Sequence, residues 1–176
     1  MGDKILIGLK DGEARLEPHS NEWNEIAKDT MNKLKNILGD VAVDIQHVGS
    51  TSIVGLMAKP IIDIEVGVNS IQDVIYLIPL LKENGFIYRP RMAREEHILF
   101  ACRDFSHGMD THYIHVVIYG NNEWNNNIKF RDILNENPDI RKEYEDLKLQ
   151  LANEYPKDRV TYTNMKAEFI QNIMNV

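Results

Sequence analysis

The chain has 176 residues, and 43% hydrophobic with 27% charged content is ordinary for a globular protein, which argues against disorder, collagen and coiled coil. Lys and Arg number 20 against 27 Asp and Glu, a formal net charge of −7, so general nucleic-acid binding is not expected, because that affinity comes mainly from neutralising phosphates. The single cysteine, Cys102, excludes an intrachain disulfide and a thiolate zinc site. The N-terminal MGDKILIGLK has no long apolar stretch, and no run approaches the ~20 apolar residues that span a bilayer. The expectation is one domain over residues 1–176, cytoplasmic and without membrane contact.

In chain order, Ile5–Leu9 reads as a strand. Ser20 and Asn21 offer caps for a helix whose apolar positions run from Trp23 to Leu38 at helical spacing and stop at Gly39. Val41–Val48 alternates as a strand does, and Gly49–Lys59 is a loop or short helix rich in Gly, Ser and Thr. Pro60–Val68 is a second, β-branched strand. Ser70 and Asp73 resemble a capping box opening a helix to Asn84, with Pro79 inside it expected to kink or shorten it. Phe86–Tyr88, Ile98–Arg103 and Tyr113–Tyr119 are three further strands. Helices then follow over Glu123–Glu136, Pro138–Glu154 and Thr161–Met174. Interleaved strands and helices followed by helices alone predict an α/β (α+β) fold: a mixed β-sheet with helices packed on it and a C-terminal helical cap.

The informative stretch is His47-Val48-Gly49-Ser50-Thr51-Ser52 followed by Lys59-Pro60-Ile61-Ile62-Asp63-Ile64-Glu65-Val66. Asp63 and Glu65 are two apart on a strand, so they share one face, while Ile62, Ile64 and Val66 point to the other. Two carboxylates on an apolar strand repel each other unless they are hydrated, paired or bound to a cation. The pair alone reads first as a solvated sheet face, and a metal site is the second reading. As ligands, hard oxygens favour Mg²⁺ or Mn²⁺ over zinc. Gly49 permits close approach of backbone to a ligand, and Ser50, Thr51 and Ser52 place hydroxyls and amides at an expected helix start, where phosphate oxygens bind.

The order strand, Gly-Ser, loop, strand, Asp-x-Glu, with twelve residues between Ser50 and Asp63, resembles the signature of the polymerase-β-type nucleotidyltransferase superfamily. HVGSTSIVGLMAKPIIDIEVGV more closely resembles the signature of the GrpB family. Glu22-Trp23-Asn24, Gly85 to Pro90, His115-Val116-Val117, Phe130-Arg131-Asp132, Tyr144, Leu147, Lys148, Tyr162-Thr163 and Lys166-Ala167 resemble it too, so the likeness covers nearly the whole chain. It implies a nucleotidyltransferase-type sheet. In that superfamily the Gly-Ser turn holds the phosphates of a nucleoside triphosphate and strand carboxylates hold two metals that activate the acceptor and stabilise leaving pyrophosphate. Carried onto this chain, Asp63 and Glu65 would be metal ligands and catalytic residues, and Gly49, Ser50 and Thr51 the phosphate cradle. Lys59, Tyr162 and Lys166 would be further nucleotide contacts, and the acceptor is not named.

Where such enzymes carry a third carboxylate on a later strand, this chain has His115, and Tyr113 departs from the GrpB pattern. The resemblance leaves His115 as metal ligand or general base, beside the reading of a partly buried, satisfied histidine. Asp110 is a reserve carboxylate expected in the preceding turn. His47, Lys59, the arginines 89, 91, 94 and 103, and the pair Tyr162 and Lys166, four apart and expected on one face of the last helix, each have an ordinary structural reading as well. His19, His97, His107 and His112 form no metal spacing, and Cys102 is expected to be buried and inert. The alternative function is a degenerate transferase fold that binds a nucleotide or a CoA-related ligand without turnover.

Overall fold

A computed structural model describes residues 7–175. Helix α1 spans Glu22–Leu38, followed by strand β1 (Ala42–Val48), a one-turn 3-10 segment at Ser50–Ser52, and strand β2 (Ile62–Val68). Helices α2 (Ile71–Ile75) and α3 (Ile78–Glu83), then strands β3 (Ile87–Tyr88), β4 (His97–Asp104) and β5 (Met109–Ile118), come next. The chain ends in α4 (Asn122–Glu136), α5 (Pro138–Glu154), α6 (Arg159–Asn164) and α7 (Ala167–Met174). The five strands form one mixed sheet in the order β1-β2-β5-β4-β3. β2 and β5 run parallel, and the other pairs are antiparallel.

The period-2 alternation of β2 separates the two faces of this sheet. Ile62, Ile64 and Val66 are fully buried against Trp23, Ala27 and Leu34 of α1, together with Ile114 and Val116 of β5 and Phe100 of β4. On the opposite side the helical cap encloses a second cluster of Ile53, Leu56, Leu134, Tyr144 and Ile173. The loop between β1 and β2 is tied to the cap: Val54 N–H donates to Asn135 Oδ1 (3.0 Å), and Met57 N–H to Glu145 Oε2 (2.8 Å).

Several local expectations need correction. The helix from Ser70 to Asn84 is two short helices, and the Ser70 side chain makes no cap; Pro79 sits in the first turn of the second, the position a missing N–H tolerates. Thr161–Met174 likewise divides, with α6 opened by Asp158, whose carboxylate accepts from Thr161 N–H (3.0 Å). β2 begins at Ile62 rather than Pro60, since Pro60 has no N–H to pair and Ile61 N–H turns back to Lys59 O (2.7 Å). Asp110 lies within β5, not in the turn before it. The expected strand at Ile5–Leu9 falls partly outside the described residues; Leu9 forms an isolated antiparallel bridge with Asp110. Cys102 is partly exposed, and burial raises its thiol to about 11, which keeps it protonated at neutral pH.

Gly67, on the cleft side of β2, lies under the start of the cap. A Cβ there would stand 2.8 Å from Tyr119 Cδ2 and 2.9 Å from Trp124 Cζ3, both rings that anchor the entry to α4. Overpacking of this kind costs roughly 1–3 kcal/mol. Gly67→Ala should therefore lower the urea midpoint by a corresponding amount with little change in slope; an unchanged midpoint would show that the cap can shift to admit a methyl group.

Candidate functional site

The hairpin register builds one end of the site. Val48, the last residue of β1, pairs with Asp63 near the start of β2, so the Gly49-Ser50 turn emerges beside the Asp63 carboxylate. Gly49 has φ +70°, and a Cβ on it would lie 2.6 Å from Asp63 Oδ2. Only glycine meets both the backbone conformation and the contact. The expected helix start at Gly49 is a single 3-10 turn, in which Ser52 Oγ donates to Gly49 O (2.6 Å).

The parallel pairing of β2 and β5 builds the centre. It aligns Glu65 with His115 and Asp63 with Tyr113. Asp63 and His115 line a cleft of about 1110 Å³ between the sheet and the cap, and so do Gly49, Ser50 and Lys59. His115 Nε2 lies 3.4 Å from Asp63 Oδ1, a long hydrogen bond. Burial works against protonation of His115, but the Asp63 hydrogen bond and the charges of Asp63, Glu65 and Glu123 more than offset it and raise its pKa. Glu65 is fully buried; Asn127 Nδ2 donates to its Oε1 (2.8 Å), and its Oε2 has no hydrogen-bond partner. Burial raises this carboxyl to about 7, against which Asn127, His115 and Arg131 pull only part of the way.

Among the described residues no group of three His, Cys, Asp or Glu side chains is arranged to hold a metal ion. The set Asp63, Glu65 and His115 therefore stands as an Asp63–His115 contact with Glu65 turned to Asn127. Two carboxylates on one strand face nevertheless fit Mg²⁺, which commonly takes one or two carboxylates and completes its octahedron with phosphate oxygens and water. The orphaned Oε2 of Glu65 is an acceptor that such an ion would satisfy.

Basic groups converge on the same cleft. Tyr162 is fully buried, with Lys166 Nζ 4.6 Å and Lys59 Nζ 5.1 Å from its ring centroid. Lys148 is also buried, its Nζ 5.3 Å from the Tyr144 centroid and donating to Met57 O. Burial, then the mutual repulsion of these lysines and of Arg159, lowers Lys59 to about 7 and Lys148 well below its usual range. Lys166 falls to about 8 through burial and Arg159, with Asp63 opposing. Such a cluster is short of anions. Lys148 was recognisable only as part of a family pattern; it shares a face of α5 with Tyr144. Tyr162, by contrast, lies in α6 and Lys166 in the break before α7, so the expected shared face of one last helix does not form and the two meet through that break instead.

Of the other residues singled out in the sequence, Asp110 and Arg89 also line the cleft, whereas Thr51 and His112 do not. Thr51 is buried and hydrogen-bonded through Oγ1 to His47 Nε2 (2.9 Å), away from the cleft lining. Asp110 is held by Arg89 (3.0 Å), Arg103 (2.8 Å) and the Tyr113 hydroxyl (3.1 Å), a neutralised carboxylate rather than a third free acid. His112 faces α1, with Nε2 3.2 Å from Thr30 Oγ1.

A family model described as GrpB protein matches residues 13–176. The Glutamate-rich protein GrpB of Alkalihalophilus pseudofirmus is 42% identical over 172 residues, which is 97% of this chain and 99% of that relative. The crystal structure of the conserved protein GrpB from Enterococcus faecalis superposes with a TM-score of 0.81 at 31% identity, covering 90% of this chain and 94% of that one. The Cid1 poly(U) polymerase with MgGTP bound gives a TM-score of 0.55 at 13% identity, over 77% of this chain and 44% of that one. At that identity the likeness concerns the fold, a nucleotidyltransferase-like one. The chain belongs to the GrpB family.

Proposed function

We propose that the cleft binds a nucleoside triphosphate with Mg²⁺ (or Mn²⁺) and transfers its nucleotidyl group to a small-molecule or protein acceptor. The observation that carries this reading is the meeting, in one cleft, of Asp63, with Glu65 buried beside it on the same face of β2, with the buried Lys148 and Lys166, the half-buried Lys59 and a glycine turn. A metal–triphosphate complex needs both charges in that arrangement. Lys59, Lys148 and Lys166 would take phosphate oxygens, while Gly49 lets the Ser50 turn approach them. Tyr162 holds two of the lysine heads in place. Asp63 and Glu65 would hold the cation, which when bound supplies charge neutralisation at the α-phosphate and at the departing pyrophosphate. In the transfer, an acceptor hydroxyl oxygen bonds to the α-phosphorus, the bond from that phosphorus to the bridging α–β oxygen breaks, and the hydroxyl proton leaves to a base. With no free third acid at Asp110, the same residues would also serve a protein that binds the nucleotide without turnover.

Transfer is tested with α-labelled nucleoside triphosphates, Mg²⁺ and candidate acceptors from extract. Labelling by wild type should disappear in Asp63→Asn; equal labelling by the two would sink the enzymatic reading.

Glu65 provides a pH-dependent test. Its folded pKa of about 7 lies above the ordinary 4.5, so its stability contribution is present below pH 4.5 and is lost as pH rises through 7. In metal-free buffer Glu65→Gln should exceed wild type in stability by about 3 kcal/mol at pH 8 and by under ~1 kcal/mol at pH 5, from about 1.4 kcal/mol per pKa unit. The same substitution should weaken Mg²⁺ binding. Stabilisation at pH 8 with undiminished metal affinity would remove Glu65 from the ligand set.

The lysines give a second pH-dependent test, read in nucleotide binding. Lys59 near 7 and Lys166 near 8 are protonated only below those values. Metal-free nucleotide should therefore bind more tightly at pH 6.5 than at pH 9, with proton uptake on binding near pH 8 in calorimetry. Lys59→Ala and Lys166→Ala should each weaken binding about tenfold or more, the scale of a hydrogen bond to a charged group. A flat pH profile would argue against phosphate contact.

A further inference from the structure

His97 was without an evident role in the sequence, but it connects the cleft to the protein surface. It begins β4, pairs with Val117 across the sheet, and is buried. Its ring stacks on that of His115, with centroids 5.4 Å apart and planes 12° from parallel. His97 Nε2 lies 3.2 Å from His115 Nδ1, and His115 Nε2 lies 3.4 Å from Asp63 Oδ1. At the outer end Arg94 Nη2 lies 2.6 Å from His97 Nδ1 and 2.9 Å from Glu123 Oε1. Arg94 and His97 also exchange backbone hydrogen bonds, Arg94 N–H to His97 O (2.7 Å) and His97 N–H to Arg94 O (3.3 Å). Those bonds hold the arginine against the ring, while its side chain remains largely exposed.

The direction of this chain follows from its first member. A guanidinium has only donors and does not deprotonate in proteins. The nitrogen it faces must therefore accept, so His97 Nδ1 carries the lone pair. Glu123 Oε1 stands 3.9 Å from that nitrogen, too far to call for a proton there. In a neutral imidazole the proton is then on Nε2, which donates to His115 Nδ1. By the same rule His115 keeps its own proton on Nε2, the nitrogen aimed at Asp63.

We propose that Arg94 and His97 are positioning residues that set the tautomer of His115, so that neutral His115 presents an N–H to Asp63 rather than a lone pair to a metal or an acceptor hydroxyl. His115 is then a donor that orients one oxygen of Asp63 and leaves the other oxygen toward Gly49 and the cleft. Burial, with His115 and Arg94 adding to it against the pull of Glu123, holds His97 at about 4, in keeping with a neutral ring throughout the physiological range. The use made of Asp63 rests on the function proposed above; the tautomers do not.

The test reads the tautomers directly in the full-length, ¹⁵N-labelled protein at pH 8, by long-range ¹H–¹⁵N correlation of the imidazole rings. Wild type should show protonated Nε2 and unprotonated Nδ1 on both His97 and His115. Arg94→Ala, a change at an exposed side chain, should turn His97 into a mixture of tautomers, and Arg94→Lys, which keeps a donor, should restore the single form. A protonated Nδ1 on either ring of wild type, or an Arg94→Ala spectrum identical to wild type, would overturn the proposal. A second measurement addresses the role of His115. His115→Gln, which retains an N–H donor, should keep Mn²⁺ affinity within about threefold, whereas loss beyond tenfold would make His115 a ligand and overturn the donor assignment. If wild type bound no metal or nucleotide, the function proposed above would fail while the tautomer assignment remained measurable.

Discussion

Strand β2 is the constraint on which the site depends. It is paired on both edges, antiparallel to β1 and parallel to β5, so its backbone groups are satisfied and its side chains are committed to two faces. On one, Ile62, Ile64 and Val66 are fully buried, each worth roughly 1.5–3 kcal/mol relative to exposure. That anchorage is large enough to hold Glu65 on the other face, where ionising a carboxyl shifted to about 7 costs about 3 kcal/mol. The strand can thus present two acids inward without being expelled from the sheet.

The cleft opposes two kinds of electrostatic cost. Asp63 and Glu65 are close acids on one strand, and Lys59, Lys148 and Lys166 are close bases brought in by the β1–β2 loop and the helical cap. Neither set neutralises the other fully: Glu65 is pushed toward its protonated form, and the lysines toward their neutral ones. Each set is relieved by a partner of the opposite sign, a cation for the acids and a phosphate chain for the bases. The net charge of −7 therefore describes the surface at large and not this cleft, where fixed basic groups outnumber the acids. The histidine pair adds direction to this field, because a guanidinium at its outer end leaves only one arrangement of protons that satisfies every member.

Much of this was legible in the sequence because it depends on local period and local chemistry. The Trp23 to Leu38 spacing, the stop at Gly39, the alternation through Asp63 and Glu65 and the Pro138 helix start all follow from backbone geometry within a few residues. Where local signals competed, the outcome was settled by packing. Pro79 at the first turn of α3 converts one expected helix into two. Asp158, whose cap opens α6, lies three residues before the expected start at Thr161. Thr51 shares the Gly-Ser segment but spends its hydroxyl on His47.

The sequence alone determined that two carboxylates share a face beside a glycine turn, since the period of a strand and the freedom of glycine need no knowledge of the rest of the chain. Residue spacing said nothing of which distant groups would meet them; only the family resemblance pointed to His115, Tyr162 and Lys166. Lys148, Arg94 and His97 enter only through the register of β4, β5 and the cap, and no spacing in the chain relates Arg94 to Asp63. Those contacts, and the pKa shifts and tautomers that follow from them, were decided by tertiary structure, because electrostatic effects depend on distance and burial in space rather than on separation along the chain.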